Sequence, residues 1–269
     1  MVYRRPPLIE VTIDVRWVVG PSPTQVAPSA SPSLIVGSAQ DDVFERLQAG
    51  LAKHGFPRSE RLVPIGLPLP AYQVFYRWKR EEPFSTVVSA GPGLLAVSAR
   101  PPYEGWSHFA AAVRWLPDVL FDSLPEEDRQ RSLSRMSVIY LNAFDEVLRQ
   151  GRTPADFTRD VLGFNVVLPP AYAPFGQWNR AEQFSLSVEL STDQNMVLSA
   201  SAAQAMHAGA PVALLSLSAH TADGDVISHP HVLPRLDALH AQLDGLFHQM
   251  TAGIQELMEP VGSDEAGDA

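Results

Sequence analysis

The 269-residue chain has no cysteine and only two lysines, Lys53 and Lys79. Without thiols there is no disulfide, no thiolate metal site and no cysteine nucleophile, and cysteine usage leaves the redox compartment open. Neither lysine lies in a Gly-rich phosphate loop or in a setting suited to Schiff-base chemistry, which removes both classes. Cations are outnumbered, with 20 Lys and Arg against 30 Asp and Glu for a net charge of −10. Such a balance is opposite to the concentrated basic surface of a phosphate-backbone binder, so no nucleic acid is expected as a partner. No apolar run approaches the roughly 20 residues of a membrane helix. Met1–Pro7 leads into a strand pattern, not a signal core, so a cytoplasmic protein with no membrane partner is the expectation. Complete catalytic templates are missing as well: there is no Gly-x-Ser-x-Gly elbow, no Gly-x-Gly-x-x-Gly after a strand and no helical His-Glu-x-x-His.

What is present is a repeat. Pro70-Ala71-Tyr72, Phe75, Trp78, Arg80, Glu82 and Phe84-Ser85 recur as Pro170-Ala171-Tyr172, Phe175, Trp178, Arg180, Glu182 and Phe184-Ser185, nine identities in sixteen gap-free positions. The spacing predicts an internal duplication packed about a pseudo-two-fold.

Around the repeat, hydrophobic period assigns the elements. Ile9, Val11, Ile13, Val15 and Trp17 alternate with polar residues, a half-buried strand. Residues 20–40, rich in Pro, Ser and Ala, read as a long loop, with Leu34-Ile35-Val36 docking locally. Asp41-Asp42 would cap a helix with Val43, Phe44, Leu47 and Leu51 inside and Gly55 at its end. Gly91-Pro92-Gly93 joins strands Thr86–Ala90 and Leu94–Ala99. A helix from about Gly105 to Leu124 should be kinked or split by Pro117, and the acidic run Glu126-Glu127-Asp128 reads as a solvated helix start. The second half repeats this order, with strands at Met136–Phe144, Phe184–Leu190, Asn195–Ala202 and Val212–His220 and a helix from Thr153-Pro154. The last helix, from about Pro234 to Met258, carries Leu236, Leu239, Leu243, Leu246 and Phe247 on a stripe broad enough to leave part of it for a second copy of the chain. The fold class is therefore α+β, two related halves, 1–130 and 131–258, each strand, helix, antiparallel strands, helix, with a disordered acidic tail at 259–269. On this reading the first half is one strand shorter than the second.

Trp78, Arg80, Glu82 and Phe84, like Trp178, Arg180, Glu182 and Phe184, are spaced by two and would share one face of a strand. There an Arg can stack on Trp and pair with Glu, as a register ladder or as a binding face. His220, His229 and His231, with Asp223 and Asp225 nearby, are weak metal-ligand candidates of a type suited to zinc. On the polar face of the first strand, Glu10 and Asp14 form a conceivable acid/base pair, although a solvated edge explains them as well. No catalytic residue and no cofactor is assigned.

Several segments together resemble a sporadically distributed bacterial family of uncharacterised proteins. They are Pro6-Pro7-Leu8-Ile9-Glu10, Tyr103-x-x-Trp106-x-x-Phe109, Val138-Ile139-Tyr140-Leu141-Asn142, and Leu236-Asp237-x-Leu239-His240 with Phe247. The family carries an arginine just before Tyr-x-Asn where this chain has Ile139, so no role for that arginine transfers. The resemblance implies an accessory role, in mobile-element or phage conflict, and no activity. The residues and the resemblance lead to a non-enzymatic binding or assembly protein with a protein partner. A small-molecule receptor with a cavity under the last helix is the alternative, and a metal-dependent hydrolase the third reading.

Overall fold

The computed structural model describes residues 3–19, 38–64, 70–80, 86–126, 133–166, 170–172, 174, 178, 183–192, 194–222, 225 and 227–261. The described residues form an α/β mixture around a nine-stranded antiparallel open sheet, with strand order β2-β3-β4-β5-β1-β6-β9-β8-β7. The strands are β1 (Leu8–Trp17), β2 (Ser59–Arg61), β3 (Tyr76–Arg80), β4 (Thr86–Gly91), β5 (Leu94–Ala99), β6 (Leu133–Phe144), β7 (Ser185–Ser191), β8 (Met196–His207) and β9 (Ala210–Thr221). The α-helices are α1 (Ser38–Ala52), α2 (Trp106–Ala112), α3 (Leu116–Ser123), α4 (Pro154–Asp160) and α5 (Val232–Met250). No described helix is long and apolar enough to cross a membrane. Two compact units divide the chain. One comprises Met1–Val11, Ile139–Ala219 and His240–Ala269, the other Thr12–Val138 and His220–Leu239.

In the second of these units, β1 behaves as its alternation requires. Ile13, Val15 and Trp17 are buried, whereas Thr12 and Arg16 are half-exposed and Asp14 is covered by a two-point bond from Arg16 at 3.0 and 3.3 Å. α1 begins at Ser38, before Asp41-Asp42, so those residues lie inside its first turns and are not its cap. Its end does follow the sequence: Gly55 at φ 88° takes the left-handed position, with Gly55 N–H donating to Ala52 O and Phe56 N–H to Leu51 O. Pro117 splits the predicted long helix into α2 and α3. Here the proline occupies the first turn of α3, where its missing N–H costs nothing.

The hairpin β4–β5 turns through Pro92-Gly93, Gly93 having φ 75°. The start of the first repeat is bound against it, with Tyr72 N–H to Pro92 O and Phe75 N–H to Ala90 O, both 2.8 Å. A Cβ at Gly91 would fall 1.6 Å from the Gln73 carbonyl oxygen. That position admits no side chain.

β3 corrects the strand count. The expected deficit in the first half is absent because Tyr76–Arg80, inside the repeat itself, is a strand pairing with β4 in register Trp78↔Val88. The second copy differs. Trp178 lies in a 3-10 turn, not on extended backbone, and 170–172 is 3-10 as well. Pro174 stands where the first copy has Val74, and Gly176 where it has Tyr76. These exchanges remove a backbone donor and a β-forming aromatic from the second copy, of which 175–177 and 179–182 lie outside the described residues.

In the other unit, Thr153 caps α4, its Oγ1 accepting from Asp156 N at 3.1 Å. Ala155, Phe184 and Ala202 form a buried cluster with Trp178 against it. The last helix ends at Met250 and continues as a 3-10 segment, Ala252–Met258. On its stripe Leu243 is fully buried, and Leu246 and Phe247 are half-buried, with Phe247 edge-on to Tyr3 at 6.5 Å. The acidic tail does not begin at 259, because Arg4 N–H donates to Glu259 O and Tyr3 bridges Pro260. Its remainder, 262–269, lies outside the described residues, as do the 20–37 part of the expected loop and Glu127-Asp128.

Asp145, after β6, is opposed by burial, but the Leu148 N–H bond and Arg5 outweigh this and hold its carboxyl below the ordinary range. A depressed carboxyl pKa stabilises the fold above the unfolded-state pKa, and that stabilisation fades as pH falls through the folded value. Asp145→Asn should therefore lower the melting temperature at neutral pH, with the gap to wild type closing in acid. Gly91→Ala should destabilise by about 1–3 kcal/mol through backbone overlap, read by urea unfolding. Trp78→Ala, at a fully buried site, should cost about 3–5 kcal/mol, more than Trp178→Ala at a half-buried one.

Candidate functional site

The repeat residues are drawn into the core, not into a common pocket. Trp78 is 1% exposed, its Nε1–H donating to Gln48 Oε1 in α1 at 2.8 Å. Arg80 shares its face of β3 but does not stack on Trp78. Its guanidinium lies over the Phe56 ring, 5.0 Å from the centroid, and donates to His54 O at 3.1 Å, while burial lowers its pKa. Trp78 stacks instead on Tyr76. The reason is length: at i+2 on a strand whose Trp is already committed to α1, the guanidinium reaches the His54-Gly55-Phe56 turn that closes that helix. Trp178 Nε1–H donates to Ala155 O at 3.0 Å and its ring lies 4.9 Å from Phe184. Glu82, Arg180 and Glu182 lie outside the described residues.

The histidines are likewise separated by their partners. His220 is buried with Nδ1 on Thr221 O, His231 Nδ1 meets Ser228 Oγ at 2.8 Å, and His229 Nε2 meets Asp118 Oδ1 at 2.8 Å. Among the described residues no three His, Asp or Glu side chains converge as a metal site. Asp225 pairs with Arg235, and Asp223 is outside the described residues. Asp14, one of the two polar-face acids, is engaged by Arg16, and that guanidinium also lies over Tyr72 at 5.6 Å.

A cleft of about 550 Å³ opens instead among α2, α3, the His229–His231 turn and the first turns of α5. Its floor is apolar: Ile13 and Val113 are 1% exposed and Leu236 2%. Two polar links brace its walls. Trp106 Nε1–H donates to Asp237 Oδ1 at 2.7 Å, joining α2 to α5. The Asp118–His229 pair joins α3 to the turn, with Phe121 edge-on to the imidazole at 5.2 Å. Arg114 is exposed at the mouth, and its guanidinium makes no hydrogen bond or ion pair among the described residues.

Sequence reasoning singled out His229 but not Arg114, Asp118 or Asp237 as site residues. A signal existed for one of them, because Trp106 and Asp237 both fall in segments that carried the resemblance expected from the sequence. In the other unit the Tyr140 hydroxyl and His240 Nδ1 share a 2.7 Å hydrogen bond, Tyr140 lying in another of the segments that carried the resemblance and His240 in the same one as Asp237. Asn142 donates to Leu215 O at 3.3 Å. Arg114 and Asp118 carry no such signal, since they are ordinary exposed helix residues until the turn at His229 is placed beside them. No protein-family model, no curated protein and no solved structure matches this chain.

Proposed function

We propose that this protein is a non-enzymatic recognition and assembly factor, and that the cleft beside α2 and α3 receives an exposed segment of a protein partner. The observation that carries this reading is the state of the polar groups there. His229, Asp118, Trp106 and Asp237 are committed to one another, and no nucleophile bonds His229 among the described residues, whereas Arg114 stands free at the rim of an apolar floor. An apolar side chain followed by a carboxylate complements that pattern. The residues beneath α5 favour assembly over the receptor alternative, since Leu236, Leu239 and Leu243 fill the space under that helix and the cleft is open to solvent. The family resemblance is in keeping with an accessory factor in mobile-element or phage conflict.

We also propose that the chain is an internal duplication with a pseudo-two-fold between β1 and β6. Outward from that pair the strands run β1-β5-β4-β3 on one side and β6-β9-β8-β7 on the other. In each half the first strand precedes a helix region that accepts the repeat tryptophan, at Gln48 and at Ala155.

Selection of a random-peptide display library on the immobilised protein tests the cleft. Peptides with an apolar residue next to Asp or Glu should be enriched, and Arg114→Glu should weaken them about tenfold, the effect of about 1.4 kcal/mol. Leu233, in α5, also lines the cleft, and Leu233→Asp should do the same. Peptides indifferent to both substitutions, or a small molecule retained in native mass spectra and displaced by neither peptide nor variant, would overturn this reading.

A further inference from the structure

The two edges of the sheet are built differently. β2, at one end of the strand order, has three residues, Ser59–Arg61, and carries charge: Glu60 pairs with Lys79 at 3.7 Å and Arg61 bonds Val63 O at 2.8 Å. Short, charged edges of this kind resist pairing with another chain. β7, at the other end, has seven residues, Ser185–Ser191, with no Lys, Arg or Pro. Its apolar side chains share one face, where Val188 is 48% and Leu190 62% exposed. Across β8, Val188 is opposite Ala200 and Leu186 opposite Ala202, while Leu190 is opposite Leu198 and still stays largely exposed. Among the described residues no strand pairs with the outer side of β7, whose backbone donors and acceptors can pair with another extended chain.

We infer that β7 pairs antiparallel with β7 of a second copy of this chain, about a two-fold axis through Val188. The side-chain order selects that occupant and that register. Centring on Val188, the middle residue, pairs all seven positions, sets Leu186 opposite the partner copy's leucine at 190, and sets each Glu189 opposite a serine at 187. The apolar faces then meet along their length, and neither carboxylate faces its own kind. Centring on Glu189 instead would place the two carboxylates opposite each other, which is unfavourable. The surface is distinct from the cleft and from α5, whose stripe is largely taken up within its own chain.

Sedimentation equilibrium on the full chain tests this, with circular dichroism to verify the fold of each variant. The wild type is expected to be a concentration-dependent dimer. Ser187→Glu places Glu against Glu189 twice by symmetry and should raise the dimer dissociation constant roughly tenfold, while Ser187→Lys forms two ion pairs and should not raise it. β7 amide exchange should slow as protein concentration rises. A monomer at every concentration, a dimer indifferent to both substitutions, or a monomer that takes up a foreign β-strand on this edge would each overturn the inference.

Discussion

A buried indole has one polar hydrogen, and where that hydrogen goes decides where the neighbouring helix can sit. Trp78 donates to Gln48, Trp106 to Asp237, Trp115 to Ala112 O and Trp178 to Ala155 O. An aromatic contributes large apolar area in any direction, but its donor accepts only one geometry, and leaving it unmet inside the protein costs about 1–3 kcal/mol. Trp78 thus fixes α1 against β3, and Trp178 ties the second repeat to the start of α4. Trp106 has the same effect on α2 and the first turns of α5, which sets the width of the cleft. Hydrophobic pattern selects which face of each element turns inward, and these single bonds select the position along it.

That division explains what could be read from the chain alone. Alternation in β1, the Gly91-Pro92-Gly93 hairpin, the break at Pro117 and the Thr153-Pro154 helix start are local, and each appears where its residues put it. The repeat was legible as sequence, but its spacing did not foretell that Trp178 would lie in a 3-10 turn where Trp78 lies in a strand. The cleft was not legible because its residues come from positions more than a hundred apart, as with Asp118 and His229. His229 was singled out as a metal-ligand candidate, not for the cleft, and Trp106 and Asp237 carried a signal through the resemblance and not through spacing.

The absence noted first in the sequence, lysine, also has a structural counterpart. Of the 20 basic residues, two are lysine, so arginine supplies the other eighteen. Several of these guanidiniums are spent on backbone carbonyls at the ends of elements. Arg61 holds Val63 O and Arg80 holds His54 O. Arg149, 5% exposed and with its pKa lowered by burial, holds Phe144 O, Pro211 O and Arg152 O. A planar fork can reach several carbonyls at once and remains charged when buried, which a single ammonium does less well. Such arginines close turns that carry too few backbone partners of their own. They are therefore withdrawn from chemistry, whereas Arg114, at the mouth of the cleft, makes no such contact among the described residues.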